Sequence, residues 1–235
     1  MAEPLVVAVA QPLCQAYDVE VNAHRHATAI RSAASRIVVF PELSLTGYQL
    51  DAPAITVEDP RLAPIVAACA ETGSVALAGA PVPGAGGREH LAMLAIDGSG
   101  VTVAYRKVWL DGTESRFAPG EPAVLVVDGW RLGLAICKDT GIAQHAQDTA
   151  ALGMDVYVAG ILMHSHEAEI QDRRGRRIAA EHGVPVCFAS FAGPTGGGYA
   201  RSAGRSAIWA PDGTVLVQAG ADPAEPARAT LTGSP

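Results

Sequence analysis

Three residues far apart along the chain end apolar runs with side chains that could serve one reaction: Glu42, Lys107 and Cys137. Cys137 closes the run Leu132-Gly-Leu-Ala-Ile136 and is followed at once by Lys138 and Asp139. The thiolate is the reactive form of cysteine, and a neighbouring cation lowers its pKa from about 8.5 toward neutrality. Glu42 follows Ile37-Val-Val-Phe-Pro41, a poor setting for a solvated charge. A carboxylate held there has its proton affinity raised, which suits a general base near neutral pH. Lys107 ends Val103-Ala-Tyr-Arg106 and adds an ammonium group. Taken singly, each has a plainer reading: a strand cysteine acting as a small hydrophobe, a loop carboxylate, a strand-end surface lysine. Together they make a base, a cation and a nucleophile at three strand ends. Glu114, seven residues beyond Lys107, is either a loop acid paired with Arg116 or a second carboxylate that holds Lys107 charged and in place.

Strands have to deliver these groups, and the pattern supplies them. Apolar runs at Leu5–Ala10, Ile37–Phe40 and Ser74–Ala80 read as buried strands, and Asp155–Ala159 and Pro185–Ser190 as two further strands. Hairpins are expected at His90–Asp97 with Val101–Lys107, Ala123–Val127 with Arg131–Ile136, and Ser206–Ala210 with Val215–Gln218. Helical spacing covers Val19–Ser35 behind an Asp18 N-cap, Arg61–Thr72 up to Gly73, Ala143–Leu152, and Glu167–His182 up to Gly183. This alternation predicts an α/β (α+β) chain of mixed sheets covered by helices, and its repeated rhythm suggests two sheets packed together.

Composition narrows the function. The 235 residues carry no marked linker and read as one domain over 1–235, with 219–235 as a peripheral tail. A 49% hydrophobic content against 17% charged residues indicates a generous core. The net charge of -7 argues against nucleic acid or an anionic membrane as partner. No apolar run reaches the roughly 18 residues that span a bilayer. Met1-Ala-Glu-Pro4 lacks the basic start of a signal peptide, so a cytoplasmic protein is expected. Its four cysteines form no C-x-x-C pair and read as reduced thiols.

Several stretches, in their order along the chain, resemble the nitrilase superfamily of carbon–nitrogen hydrolases. They are Val39-Phe-Pro-Glu-Leu-Ser-Leu-Thr-Gly-Tyr48, Tyr105-Arg-Lys107 with Glu114 and Phe117-Ala-Pro-Gly120, and Gly133-Leu-Ala-Ile-Cys-Lys-Asp139. Val7-Ala-Val-Ala-Gln11 is similar to the family's first strand, and Gly204-Arg-Ser206 with Pro211-Asp-Gly213 to its C-terminal hairpin. The resemblance implies a four-layer α-β-β-α sandwich, two mixed sheets face to face with helices outside. It also implies a Glu42–Lys107–Cys137 triad with Glu114 as the additional glutamate, no metal and no cofactor. The activity implied is hydrolysis of a non-peptide C–N bond in a small amide through a cysteine thioester. Association into a homodimer or higher homo-oligomer would use Ala143–Leu152 and Glu167–His182.

The chain departs from the family pattern after its cysteine, where Lys138-Asp139-Thr140-Gly141-Ile142-Ala143 replaces the usual run. The nitrilase branch usually carries Trp-Glu there, so a nitrile substrate is disfavoured. Tyr48, Lys138, Met163 and His164 are expected to line the substrate pocket, Lys138 also offering its backbone N–H to an oxyanion. His164 and His166 lack a third ligand in recognisable spacing and make a poor zinc site. The basic cluster Arg173-Arg-Gly-Arg-Arg177 reads as a solvated helix face or subunit contact. Rival functions are N-carbamoyl amide hydrolysis, a catalytically silent interaction protein on the same fold, and a redox-sensing thiol.

Overall fold

The computed structural model describes residues 3–233. Its strands are β1 (Leu5–Gln11), β2 (Ile37–Val39), β3 (Val75–Pro83), β4 (Glu89–Asp97), β5 (Gly100–Arg106), β6 (Val124–Val127) and β7 (Trp130–Ile136) in the first part. They continue as β8 (Val156–Ile161), β9 (Val186–Ser190), the short pair β10 (Ala192–Gly193) and β11 (Ser202–Ala203), β12 (Ala207–Trp209), β13 (Val215–Gln218) and β14 (Ala224–Leu231). The helices are α1 (Val19–Ala33), α2 (Ala63–Thr72), α3 (Ala143–Ala151) and α4 (Ala168–His182).

Two six-stranded mixed sheets result, ordered β14-β1-β2-β3-β4-β5 and β13-β12-β9-β8-β7-β6. Each has parallel strands at its centre (β1-β2-β3 and β7-β8-β9) and antiparallel strands toward its edges. Because strand side chains alternate between faces, each central strand serves two cores. Leu5, Val7 and Val9 of β1 meet Val156 and Val158 of β8 in the layer between the sheets. Ala8 and Ala10 face outward onto Ala23, Ala27 and Ile30 of α1. Tyr157, Ala159 and Ile161 of β8 turn the other way, onto Ala146 of α3 and Ile178 and Ala179 of α4. The layers are therefore α-β-β-α, as the resemblance implied.

Local signals act where the residues predict. The Asp18 carboxylate caps α1 by accepting from Val21 N at 3.0 Å. Gly73 and Gly183 end α2 and α4 in the left-handed conformation that glycine adopts without strain. One expectation changes: the stretch from 219, expected as a peripheral tail, contains β14, whose Leu231 pairs with Leu5. Pro223 and Pro226 disguise it, and an edge strand tolerates the proline. Gln11 at the end of β1 binds this region to the site's end of the molecule. Its side chain donates to Gly220 O and Asp222 O and accepts from Ser206 N.

Candidate active site

Parallel strands place reactive groups at their C-terminal ends. Here β2 ends three residues before Glu42, β7 one residue before Cys137, and β5 one residue before Lys107. Glu42 reaches its place because two glycines let the chain pass. A Cβ on Gly79 would lie 2.2 Å from Leu43 N, and one on Gly160 would lie 2.6 Å from Phe40 O and 2.9 Å from Glu42 N. Gly160→Ala is accordingly expected to push the Glu42 backbone aside and to destabilise by about 1–3 kcal/mol. Its kcat should fall more than its melting temperature alone accounts for, as measured by kinetics beside thermal unfolding.

The ammonium of Lys107 sits between two carboxylates, 2.6 Å from Glu42 Oε1 and 2.6 Å from Glu114 Oε1. All three side chains are 1% exposed. Glu114 thus pairs with Lys107 and not with Arg116: its other oxygen accepts from Asp111 N at 2.7 Å, while Arg116 pairs with Glu89. Burial disfavours the Lys107 charge, but Glu42, Cys137 and Glu114 outweigh it and hold the ammonium well above its ordinary range. Burial pushes the Glu42 carboxyl up, to about 7, with Glu114 adding to the rise and Lys107 opposing it. Among the described residues its Oε2 has no hydrogen-bond partner.

Cys137 begins a 3-10 turn, Cys137–Gly141, with φ at 42°, a left-handed backbone rare for a residue with a side chain. Such strain costs on the order of 1–3 kcal/mol and persists only where surrounding bonds over-determine it. Asp139 supplies several of those bonds. It accepts from Ile136 N at 2.9 Å, Trp109 N at 2.8 Å and the Tyr105 hydroxyl at 2.6 Å. The Thr140 hydroxyl donates to Cys137 O at 2.7 Å, and Arg177 donates to Thr140 O at 3.1 Å. Two arginines of the basic cluster, Arg174 and Arg177, thus turn toward the cysteine turn. The Cys137 thiol donates to Leu162 O at 3.3 Å. Burial and the Glu42 charge push it up, to about 12, against the opposing pull of Lys107.

Cys137, Lys107 and Glu114 open on one cavity of about 310 Å³, walled also by Tyr48, Leu50, Lys138 and Tyr199. Of the four residues expected to line the pocket, Tyr48 and Lys138 border this cavity, and Met163 and His164 do not. Met163 is buried, and its carbonyl accepts from Ala203 N at 2.9 Å. His164 lies behind Tyr199, stacked on it at 3.9 Å between ring centroids, with His166 stacked on His164 at 5.1 Å. Tyr199, which meets Tyr48 edge-on at 5.5 Å, and Leu50 are lining residues that sequence reasoning missed. The Pro194–Gly198 stretch before Tyr199 reads only as a loop. Among the described residues no three His, Cys, Asp or Glu side chains gather as a metal-binding group. Among them, too, no helix is long and apolar enough to cross a membrane.

The chemistry available is that of an unionised thiol beside a carboxyl that titrates near neutrality, with a fixed ammonium facing the same space. The family model described as carbon-nitrogen hydrolase matches residues 6–232. A hydrolase from the pqqF 5' region of Pseudomonas protegens is 30% identical over 221 residues, covering 88% of this chain and 76% of that protein. A mutant of the amidase from Nesterenkonia sp. AN1, showing the result of Michael addition of acrylamide at its active-site cysteine, superimposes with a TM-score of 0.87. The identity is 23%, over 97% of this chain and 93% of that one. Nit3 of Saccharomyces cerevisiae, from branch 10 of the nitrilase superfamily, has a TM-score of 0.86 at 20% identity, covering 97% and 90%.

Proposed function

The chain belongs to the carbon–nitrogen hydrolases, and on that premise we propose that it hydrolyses a small amide through a thioester on Cys137. The carrying observation is the buried Glu42–Lys107–Glu114 cluster, joined at 2.6 Å on each side of the ammonium, whose Lys107 and Glu114 open with Cys137 on one cavity. A cavity of about 310 Å³ is at the small end for ligand sites and suits a compact acyl group. The cysteine adduct in the Nesterenkonia amidase supports giving the sulfur of Cys137 the covalent role.

In this reading Glu42 takes the thiol proton as the sulfur attacks the amide carbon, forming the C–S bond. The oxyanion is met by the Lys107 ammonium and by the N–H of Lys138. That N–H lies in the first turn of the 3-10 segment, where backbone donors have no intrahelical acceptor. Glu42 returns its proton to the nitrogen as the C–N bond breaks, and ammonia leaves. A water, deprotonated by the same carboxylate, then cleaves the thioester and releases the acid. One difficult step becomes two easier ones. Glu114 is left to hold Lys107, and Tyr48 and Lys138 to shape the acyl site.

A reduced thiol is required throughout, which fits a cytoplasmic location. We also propose self-association through the outer faces of α3 and α4. Ammonia release from a panel of small amides and N-carbamoyl compounds tests the activity, and acid-quenched turnover tests the intermediate by peptide mass. An acyl mass on the Cys137 peptide is expected during turnover. Steady ammonia release with that peptide always unmodified would refute the thioester, and ammonia from carbamoyl compounds alone would shift the substrate class.

A further inference from the structure

Behind the nucleophile turn, four polar side chains form an unbroken buried chain. The Tyr105 hydroxyl lies 2.6 Å from Asp139 Oδ2 and 2.9 Å from His145 Nε2, and His145 Nδ1 lies 2.9 Å from the Tyr157 hydroxyl. Asp139, His145 and Tyr157 are fully buried, and Tyr105 nearly so. Counting hydrogens sets the direction of the chain. Tyr105 has one hydroxyl proton, and the carboxylate takes it. His145 Nε2 must then carry a proton to donate to the Tyr105 oxygen, which leaves Nδ1 bare to accept from Tyr157. Burial favours this neutral imidazole, while Asp139 and Asp148 oppose the shift.

The Asp139 carboxylate at the end of this chain binds two separate pieces of backbone. One is Ile136 N, next to Cys137, and the other is Trp109 N, two residues beyond Lys107. It therefore braces the cysteine turn against the segment that carries the ammonium. Tyr105 occupies its third bond and sits two residues before Lys107 on β5.

We infer that His145 is a positioning residue for the reaction: by fixing the direction of the Tyr105 hydroxyl it locks the Asp139 brace, and with it the spacing of Cys137 from Lys107. The inference rests on Cys137 being the nucleophile. A histidine that merely fills α3's inner face would affect stability but leave the chemistry of the sulfur unchanged. Leucine at this position removes both ring nitrogens. Glutamine keeps one donor and one acceptor, as the neutral imidazole does. Tyr157→Phe lets His145 adopt the other tautomer, whose bare Nε2 would face the Tyr105 oxygen.

The readout is alkylation of Cys137 by iodoacetamide at neutral pH in the full chain, followed by peptide mass, together with kcat and KM. The other three cysteines are buried. His145→Leu is expected to slow alkylation and kcat about tenfold or more with KM changed less than about twofold, since small displacements of reacting groups act mainly on the chemical step. His145→Gln should return both to within about threefold of the parent, and Tyr157→Phe should cost a few-fold that vanishes in the leucine background. If leucine and glutamine are equally slow, or if all three variants alkylate at the parent rate, the inference is overturned. Should the leucine variant not fold, the glutamine and phenylalanine variants decide alone: parental rates in both refute it, and a loss confined to Tyr157→Phe upholds it. Alkylation needs no amide, so a parent that hydrolyses no amide refutes the proposed function and leaves this test standing.

Discussion

Changing Cys137 to alanine or Glu42 to glutamine is expected to lower kcat/KM by at least about 10⁴-fold in either case, with the double variant no slower than either single one. The reason is that in the proposed mechanism sulfur and carboxylate act as one unit. Burial and the Glu42 charge push the thiol up to about 12, so at neutral pH the sulfur carries its proton and needs a base to attack. In the proposed mechanism Glu42 is that base, and burial raises its carboxyl to about 7. The active form is the carboxylate, so kcat/KM of the parent should rise as pH climbs through about 7 and then level off. In Glu42→Gln that rising limb should disappear along with the rate. A thiolate already stabilised by Lys107 would behave otherwise, since glutamine would then cost little and the limb would stay. The measurement is the pH profile of kcat/KM for parent and glutamine variant, with the double variant as the additivity check. Additive losses, or a glutamine variant within about tenfold of the parent, would falsify the assignment of Glu42 as the base.

The parts of this site that were legible in the sequence share one property: they end continuous apolar strands. An unbroken run such as Leu132–Ile136 announces both a buried strand and the point where it stops, so Cys137, Glu42 and Lys107 could be placed at strand ends before any coordinates. Their convergence needs the sheet order, which no local pattern carries. The cavity wall was harder for the same reason. Met163 and His164 do follow β8, yet the β10–β11 pair beside them binds the Met163 carbonyl and leaves the wall to Tyr199. A glycine-rich loop hides such a residue, because Gly197 and Gly198 adopt left-handed angles that only the folded context selects. His145 was hidden differently. A histidine in an Ala- and Gln-rich helix reads as a solvated position, and only packing against Tyr105 and Tyr157 reveals it as buried. The edge strand β14 escaped because Pro226 within it, Pro223 just before it and its run of alanines resemble a tail.

Lys107→Met is expected to be the most damaging exchange to fold and function together. Methionine fits the volume but leaves Glu42 and Glu114 facing each other, buried and with no cation between them. Removing one partner of a buried charged pair typically costs about 3–5 kcal/mol. Glu42 loses both influences that lower its pKa through Lys107, the charge and the hydrogen bond, and keeps the burial that raises it. It then holds its proton at neutral pH and no longer serves as a base, while the oxyanion loses a donor worth about 10²–10³ in rate. Together these should bring kcat/KM down by about 10⁴-fold or more. The sign of the stability change with pH also follows. A carboxyl whose folded pKa is raised above its unfolded 4.5 contributes stability below that value and loses it as pH rises through the folded pKa. The melting-temperature deficit against the parent should therefore be wider near about pH 8 than near about pH 5. Adding Glu114→Gln removes one of the opposed carboxylates and should recover much of the stability without recovering turnover. If the double variant regains hydrolysis as well, the ammonium serves only to hold the fold, and the oxyanion must be met by other donors.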